Sequence, residues 1–176
     1  EWQDINEHWN YKNDEMISVE MYSNCDEIEL FLNNKSLGNK KLVDFKDHIY
    51  KWGAPFSDGV IEARGVKDGK TIIEKIATAR KSTHIKLSTV ETNLKANYKD
   101  VAHIVLQLTD AKGNPVKTDD KKINFEIEGD VKLLGIDNGW KKSTEKFQSN
   151  SGTTFMGRTL MIVQSKNKKG SVKIMD

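Results

Sequence analysis

The chain has 176 residues, 36% of them hydrophobic and 31% charged, with a formal net charge of +2. Its length suits one large domain or two of roughly 100 residues each, and the near-neutral balance selects no polyanionic partner. The longest apolar run, Leu160-Met161-Ile162-Val163, is far short of the ~20 residues a membrane helix needs, so neither a membrane nor nucleic acid is expected as a partner.

Charge is distributed unevenly. Residues 1–83 carry 12 Lys+Arg against 15 Asp+Glu, a balance of −3; residues 84–176 carry 16 against 11, a balance of +5. The excess in the second half is dispersed apart from Lys166, Lys168 and Lys169, and no aromatic residue interleaves with it. That pattern is a solvated face rather than a nucleic-acid groove. Cys25 is the only cysteine, which excludes an internal disulfide and a cysteine-based zinc site. The start, EWQDINEHWN, has neither an initiator Met nor the apolar centre of a signal peptide, so the chain reads as a fragment or a processed product.

Residues 1–15 have no helical or strand period. Trp2, His8, Trp9 and Tyr11 sit among polar residues, placed either to pack on the first sheet or to meet a preceding domain. Strands then follow quickly. Ile17, Val19 and Met21 share one face of Met16–Tyr22. Ile28, Leu30 and Leu32 share one face of Glu27–Leu32, the period of two that marks a half-buried strand. Asn33-Asn34 closes a hairpin, because Asn tolerates positive φ, and 35–42 returns. Residues 49–52, 60–66 and 71–77 complete six strands, with Asp68-Gly69 the clearest hairpin signal. One helical turn at most fits 44–48. The polar stretch Arg80–His84 is the expected boundary, which gives domains 1–83 and 84–176.

The second half begins again as strand at Ile85 and Leu87. Val101–Thr109 alternates, with Ala102, Ile104, Leu106 and Leu108 on one face. A turn at 110–115 leads to a strand over 123–127, a turn at 128–130 and a strand over 131–136. Residues 141–154 are expected to form a long polar loop anchored by Phe147. Residues 159–164 and 171–175 are expected to close the domain as a hairpin. Short strands at regular turn spacing imply antiparallel sandwiches. The expected fold class is all-β: two consecutive immunoglobulin-like antiparallel β-sandwich domains.

Several of these segments carry a family resemblance. His8-Trp9-Asn10, Tyr22–Glu27, Glu29-Leu30-Phe31-Leu32-Asn33 and Lys35-Ser36-Leu37-Gly38 resemble the non-catalytic module that follows the barrel in β-galactosidase-like enzymes of glycoside hydrolase family 2. Lys99–Ala102, Thr109-Asp110, Gly113, Pro115, Gly135–Gly139, Glu145, Phe155, Gly157 and Leu160–Ser165 resemble the immunoglobulin-like domain that ends many of them. Asn34 departs from the usual Gly, and Tyr11 from the usual Trp. The resemblance implies accessory domains whose partner is the catalytic barrel of a larger enzyme, in the periplasm or outside the cell. The catalytic glutamates of the family lie on that barrel, which takes about 250 residues, so no catalytic residue is carried over, and the fragment itself is expected to be inactive.

The residues themselves offer little chemistry. Acidic pairs such as Asp26-Glu27 and Asp119-Asp120 read as turn residues, although a glycosidase needs two carboxylates at a set separation. His8, His48, His84 and His103 lack metal-ligand spacing. Asp137-Asn138-Gly139 lacks the further acids of a calcium loop. No metal or cofactor is expected. The alternative function is a carbohydrate-binding or adhesive module, in which Trp52 and Trp140 would stack on a sugar. Trp140 is also placed to cover the end of the second core.

Overall fold

The computed structural model describes residues 5–175, and Trp2 lies outside them. The chain divides into two compact units, residues 1–79 and 80–176. The division falls earlier than the 83/84 boundary read from composition. The polar connector belongs to the second unit because it is bonded into it: Arg80 N–H donates to Asp110 Oδ2 at 3.0 Å and Thr83 N–H to the Thr109 carbonyl at 2.9 Å.

Unit 1 is a sandwich of a four-stranded and a two-stranded antiparallel sheet. The strands are β1 (Met16–Tyr22), β2 (Glu27–Leu32), β3 (Lys35–Lys41), β4 (Ile49–Pro55), β5 (Val60–Lys67) and β6 (Lys70–Ala77). The larger sheet runs β3-β2-β5-β6 and the smaller pairs β1 with β4. Alternation decides what is inside. Ile28, Leu30 and Leu32 are buried together with Tyr50, Trp52 and Ala54 of β4, and with Trp9, Cys25, Phe56 and Ile61. Each of the larger aliphatic and phenylalanine side chains contributes about 1.5–3 kcal/mol by leaving water. Asn33 and Asn34 hold φ of 51° and 66°, the left-handed pair that a two-residue hairpin requires. Among the described residues the one helical turn is Leu42–Asp44, which starts two residues before the expected 44–48 and shares only Asp44 with it.

Trp9 packs on its own unit. Its ring lies 5.5 Å from Phe56 and 5.9 Å from Tyr11, and its indole N–H donates to the Ser57 carbonyl. Gly65 is required beneath Cys25, since a Cβ there would sit 2.6 Å from the sulfur.

Unit 2 contains β7 (His84–Ser88), β8 (Val101–Thr109), β9 (Lys122–Asn124), β10 (Glu126–Glu128), β11 (Val131–Asp137), β12 (Ser151–Thr153), β13 (Arg158–Ser165) and β14 (Lys173–Met175). One layer is the sheet β11-β13-β8-β7; the other is made of the pairs β12-β9 and β10-β14. Ala102, Ile104, Leu106 and Leu108 are buried as their alternation requires, with Met161 and Val163 of β13.

Three expectations are corrected here. The strand over 123–127 is broken at Phe125, which is buried. Its flanks join different two-stranded sheets, so the chain bends at the side chain that anchors it. The final segment does not form a hairpin with residues 159–164. β13 pairs with β8 and β11, both neighbouring positions are filled, and β14 pairs with β10 instead. The long loop contains β12 and is not anchored by the Phe147 ring, which is exposed. It is held by its backbone: the Phe147 carbonyl accepts from Ile136 N–H at 2.8 Å, and the Asn150 carbonyl from Phe125 N–H at 2.7 Å.

Candidate functional site

The two tryptophans singled out by sequence have opposite fates. Trp52 lies on the inner face of β4, 4% exposed. Its ring stacks on Tyr50 at 5.9 Å and its indole N–H donates to the Gly38 carbonyl at 3.2 Å. No face of it is open to a sugar, so its assignment as a carbohydrate contact is withdrawn. The core needs a large amphipathic ring at this position, and the sequence does not distinguish that need from a binding role.

Trp140 is 45% exposed. It sits just beyond β11 on a turn fixed by short-range bonds. Gly139 takes φ of 75° and donates its N–H to Asp137 Oδ1 at 3.0 Å. Trp140 N–H donates to Asn138 Oδ1 at 2.9 Å, while Asn138 Nδ2 donates to the Thr153 carbonyl at 2.8 Å. The indole stacks on Phe155 with centroids 6.1 Å apart and planes 20° from parallel. Phe155 opens the tight turn into β13, where Met156 and Gly157 have φ of 51° and 68°. Gly157 admits no substitute readily, because a Cβ there would lie 1.8 Å from the Val116 carbonyl oxygen. Two rigid turns therefore present one aromatic surface, of which Phe155 is the member that sequence reasoning missed. The tight turn after it, Met156-Gly157, was the available signal.

Beside this turn lies a small depression of mixed character, lined by Asp137, Asn138, Glu145 and Thr153 together with Ile136 and Phe147. Glu145 spans it and accepts from Thr153 N–H at 2.8 Å and from Thr153 Oγ1 at 2.7 Å. Those bonds hold its carboxyl below the usual carboxylate range, so it serves as a brace on β12.

Of the other carboxylates considered from sequence, Asp26, Asp119 and Asp120 are likewise bonded within the fold. Asp26 pairs with Lys67 at 3.0 Å. Asp119 accepts from the Ser82 hydroxyl, and Asp120 accepts from Gly157 N–H at 2.9 Å. His103 is exposed and lies 3.9 Å from the Glu91 carboxylate. Among the described residues, Asp110 is the most strongly perturbed acid. Backbone N–H donation from Arg80, then the N–H groups of Asn114 and Lys112 and the Asn114 side chain, lower its pKa to about 2. It ties the connector to the β8 turn.

Residues 85–175 match the family described as glycoside hydrolase family 2 C-terminal domain 5, and residues 14–73 match one described as Domain of unknown function (DUF4982). The chain is 33% identical over 169 residues to β-galactosidase BoGH2A of Bacteroides ovatus, covering 95% of this chain and 20% of that protein. It is 29% identical over 158 residues to a putative β-glucuronidase of Formosa agariphila, covering 86% and 15% respectively. A solved family 2 glycosyl hydrolase of Bacteroides cellulosilyticus superposes with a TM-score of 0.87 at 31% identity, over 98% of this chain and 23% of that one. A β-glycosidase of Bacteroides vulgatus gives 0.87 at 32%, over 96% and 22%. The chain thus spans about a fifth of the length of the relatives it matches.

Proposed function

Because the chain belongs to glycoside hydrolase family 2, we propose that its two β-sandwiches are non-catalytic accessory domains of a larger, β-galactosidase-like glycosidase, and that they support its catalytic barrel. The observation that carries this is the match of residues 85–175 to a C-terminal domain of the family, in a chain that corresponds to only 20% of its Bacteroides ovatus relative. In this reading unit 2 is the immunoglobulin-like terminal domain, and the parent enzyme works in the periplasm or outside the cell. The test is the mass of the native gene product, read by blotting source-cell extract with an antibody against this chain. The expected band lies far above 20 kDa, with room for a barrel of about 250 residues. A band near 20 kDa refutes the proposal, as does turnover of aryl β-galactosides by the purified chain that persists through repeated chromatography.

The Trp140–Phe155 pair supports a second reading, in which unit 2 also holds glycan. Large exposed aromatic faces are energetically costly in water and stack well on the C–H edges of pyranose rings. Affinity electrophoresis through gels cast with galactan or other plant-wall glycans tests it. Retardation that weakens about tenfold or more in Trp140→Ala, as for a buried aromatic anchor, supports the reading. Mobility unchanged by any glycan removes it.

A further inference from the structure

The inner face of the larger sheet in unit 1 is not fully roofed. Across β2, β5 and β6 the inward rows are Ile28–Gly65–Ile72, Leu30–Ala63–Glu74 and Leu32–Ile61–Ile76. In β2 all three inward residues are buried, and in β5 Gly65 and Ile61 are buried and Ala63 half-buried. In β6, on the same face, Ile72 is 48% and Ile76 40% exposed. The cause is strand number. Four strands face two: β4 covers its share with buried Tyr50, Trp52 and Ala54, and Ile17, Val19 and Met21 of β1 are themselves only half-buried. Isoleucines grouped on one strand in a core register, yet open to water, form the kind of apolar strip that a partner covers.

We propose that the strip Ile72–Glu74–Ile76 on β6 is a docking surface for an apolar, basic-residue-bearing segment of the parent polypeptide. This rests on the accessory-domain reading. About four-fifths of the Bacteroides ovatus relative lies outside the matched region, so an occupant of that origin is at hand. Glu74 supplies the chemistry. It stands between the two isoleucines on the inner face, and among the described residues its carboxylate has no hydrogen-bond or ion-pair partner. A partner that covers the strip must bring a donor or a cation to it, since a buried carboxylate left alone is costly. The same charge disfavours a second copy of this chain, because an inward-pointing charge near a sheet edge is a device that blocks edge-to-edge pairing.

The test is hydrogen exchange over residues 70–77, measured in the whole gene product and in the 176-residue chain. Exchange is expected to be slower by about tenfold or more in the whole product. That protection is expected to be lost in the double variant Ile72→Asp/Ile76→Asp and retained in the outer-face control Ile73→Asp. In the 176-residue chain, all three positions already face water and the variants are expected to melt within a few degrees of the parent sequence. Equal exchange in both forms, in a gene product far larger than 20 kDa, overturns the docking surface and leaves the accessory reading standing. A gene product near 20 kDa overturns both. Protection that grows with concentration of the 176-residue chain assigns the strip to self-association and overturns the proposal.

Discussion

Replacing Leu30 with Ala tests the packing of unit 1 most directly. Leu30 is fully buried, central on the inner face of β2 and paired across the sheet with Ala63. The substitution removes three carbon groups, each worth about 0.8 kcal/mol of transfer, and the cavity left behind raises the total to about 3–4 kcal/mol. Ala63 is too small to fill the space, and Ile28 and Leu32 are held by the strand backbone, so little collapse is expected. Urea unfolding followed by the fluorescence of Trp9 and Trp52, both in the same cluster, reads the loss. With m of about 1–1.5 kcal/mol/M for a unit of this size, the midpoint falls by about 2–4 M. Phe31→Ala on the outer face serves as the comparison. Phe31 is half-buried under the Arg64 guanidinium, 4.1 Å from the ring centroid, and its removal costs about 1 kcal/mol. A Leu30→Ala loss below about 1 kcal/mol would refute the inner-face assignment, as would a loss smaller than that of Phe31→Ala.

Further outcomes follow from single groups. Tyr50→Phe removes the hydroxyl that donates to the Cys25 carbonyl at 2.7 Å in the core and lowers stability by about 1–2 kcal/mol in the same urea assay. Gly157→Ala forces a Cβ against the Val116 carbonyl at positive φ and destabilises unit 2 by about 2–4 kcal/mol. Gly113→Ala, also at positive φ but in open space, costs about 1 kcal/mol, and thermal melting separates the two. Asp110 makes unit 2 acid-sensitive. Its folded pKa is depressed from 3.8 to about 2, so its contribution is complete above the unfolded value and is lost as pH falls through the folded one. Melting temperature should therefore decline between about pH 4 and pH 2, with a shallower decline in Asp110→Asn.

How much was legible in the sequence varies with the range of the interaction that decides it. The β2–β3 hairpin was legible from Asn33-Asn34 because local steric preference fixes it. The Phe125 break was not, because five residues of alternating pattern look the same whether they serve one sheet or two. The partner of β14 was likewise hidden, since the order of strands depends on which neighbouring positions β8 and β11 have already filled. Trp52 and Trp140 show the same limit at the site. Each follows or precedes lysine in a polar neighbourhood, and only the pairing of β1 with β4 turns Trp52 inward.

The sequence alone therefore determined what short-range physics controls: the longer alternating strands such as β2 and β8 with their inner faces, the turns at glycine and asparagine, and the family of the chain. The tertiary structure decided what depends on sheet width and on contacts across the chain. Those are the stacking of Phe155 on Trp140, the burial of Trp52, and the exposure of Ile72 and Ile76. Alternation specifies which way a side chain points, but not whether another layer extends far enough to cover it.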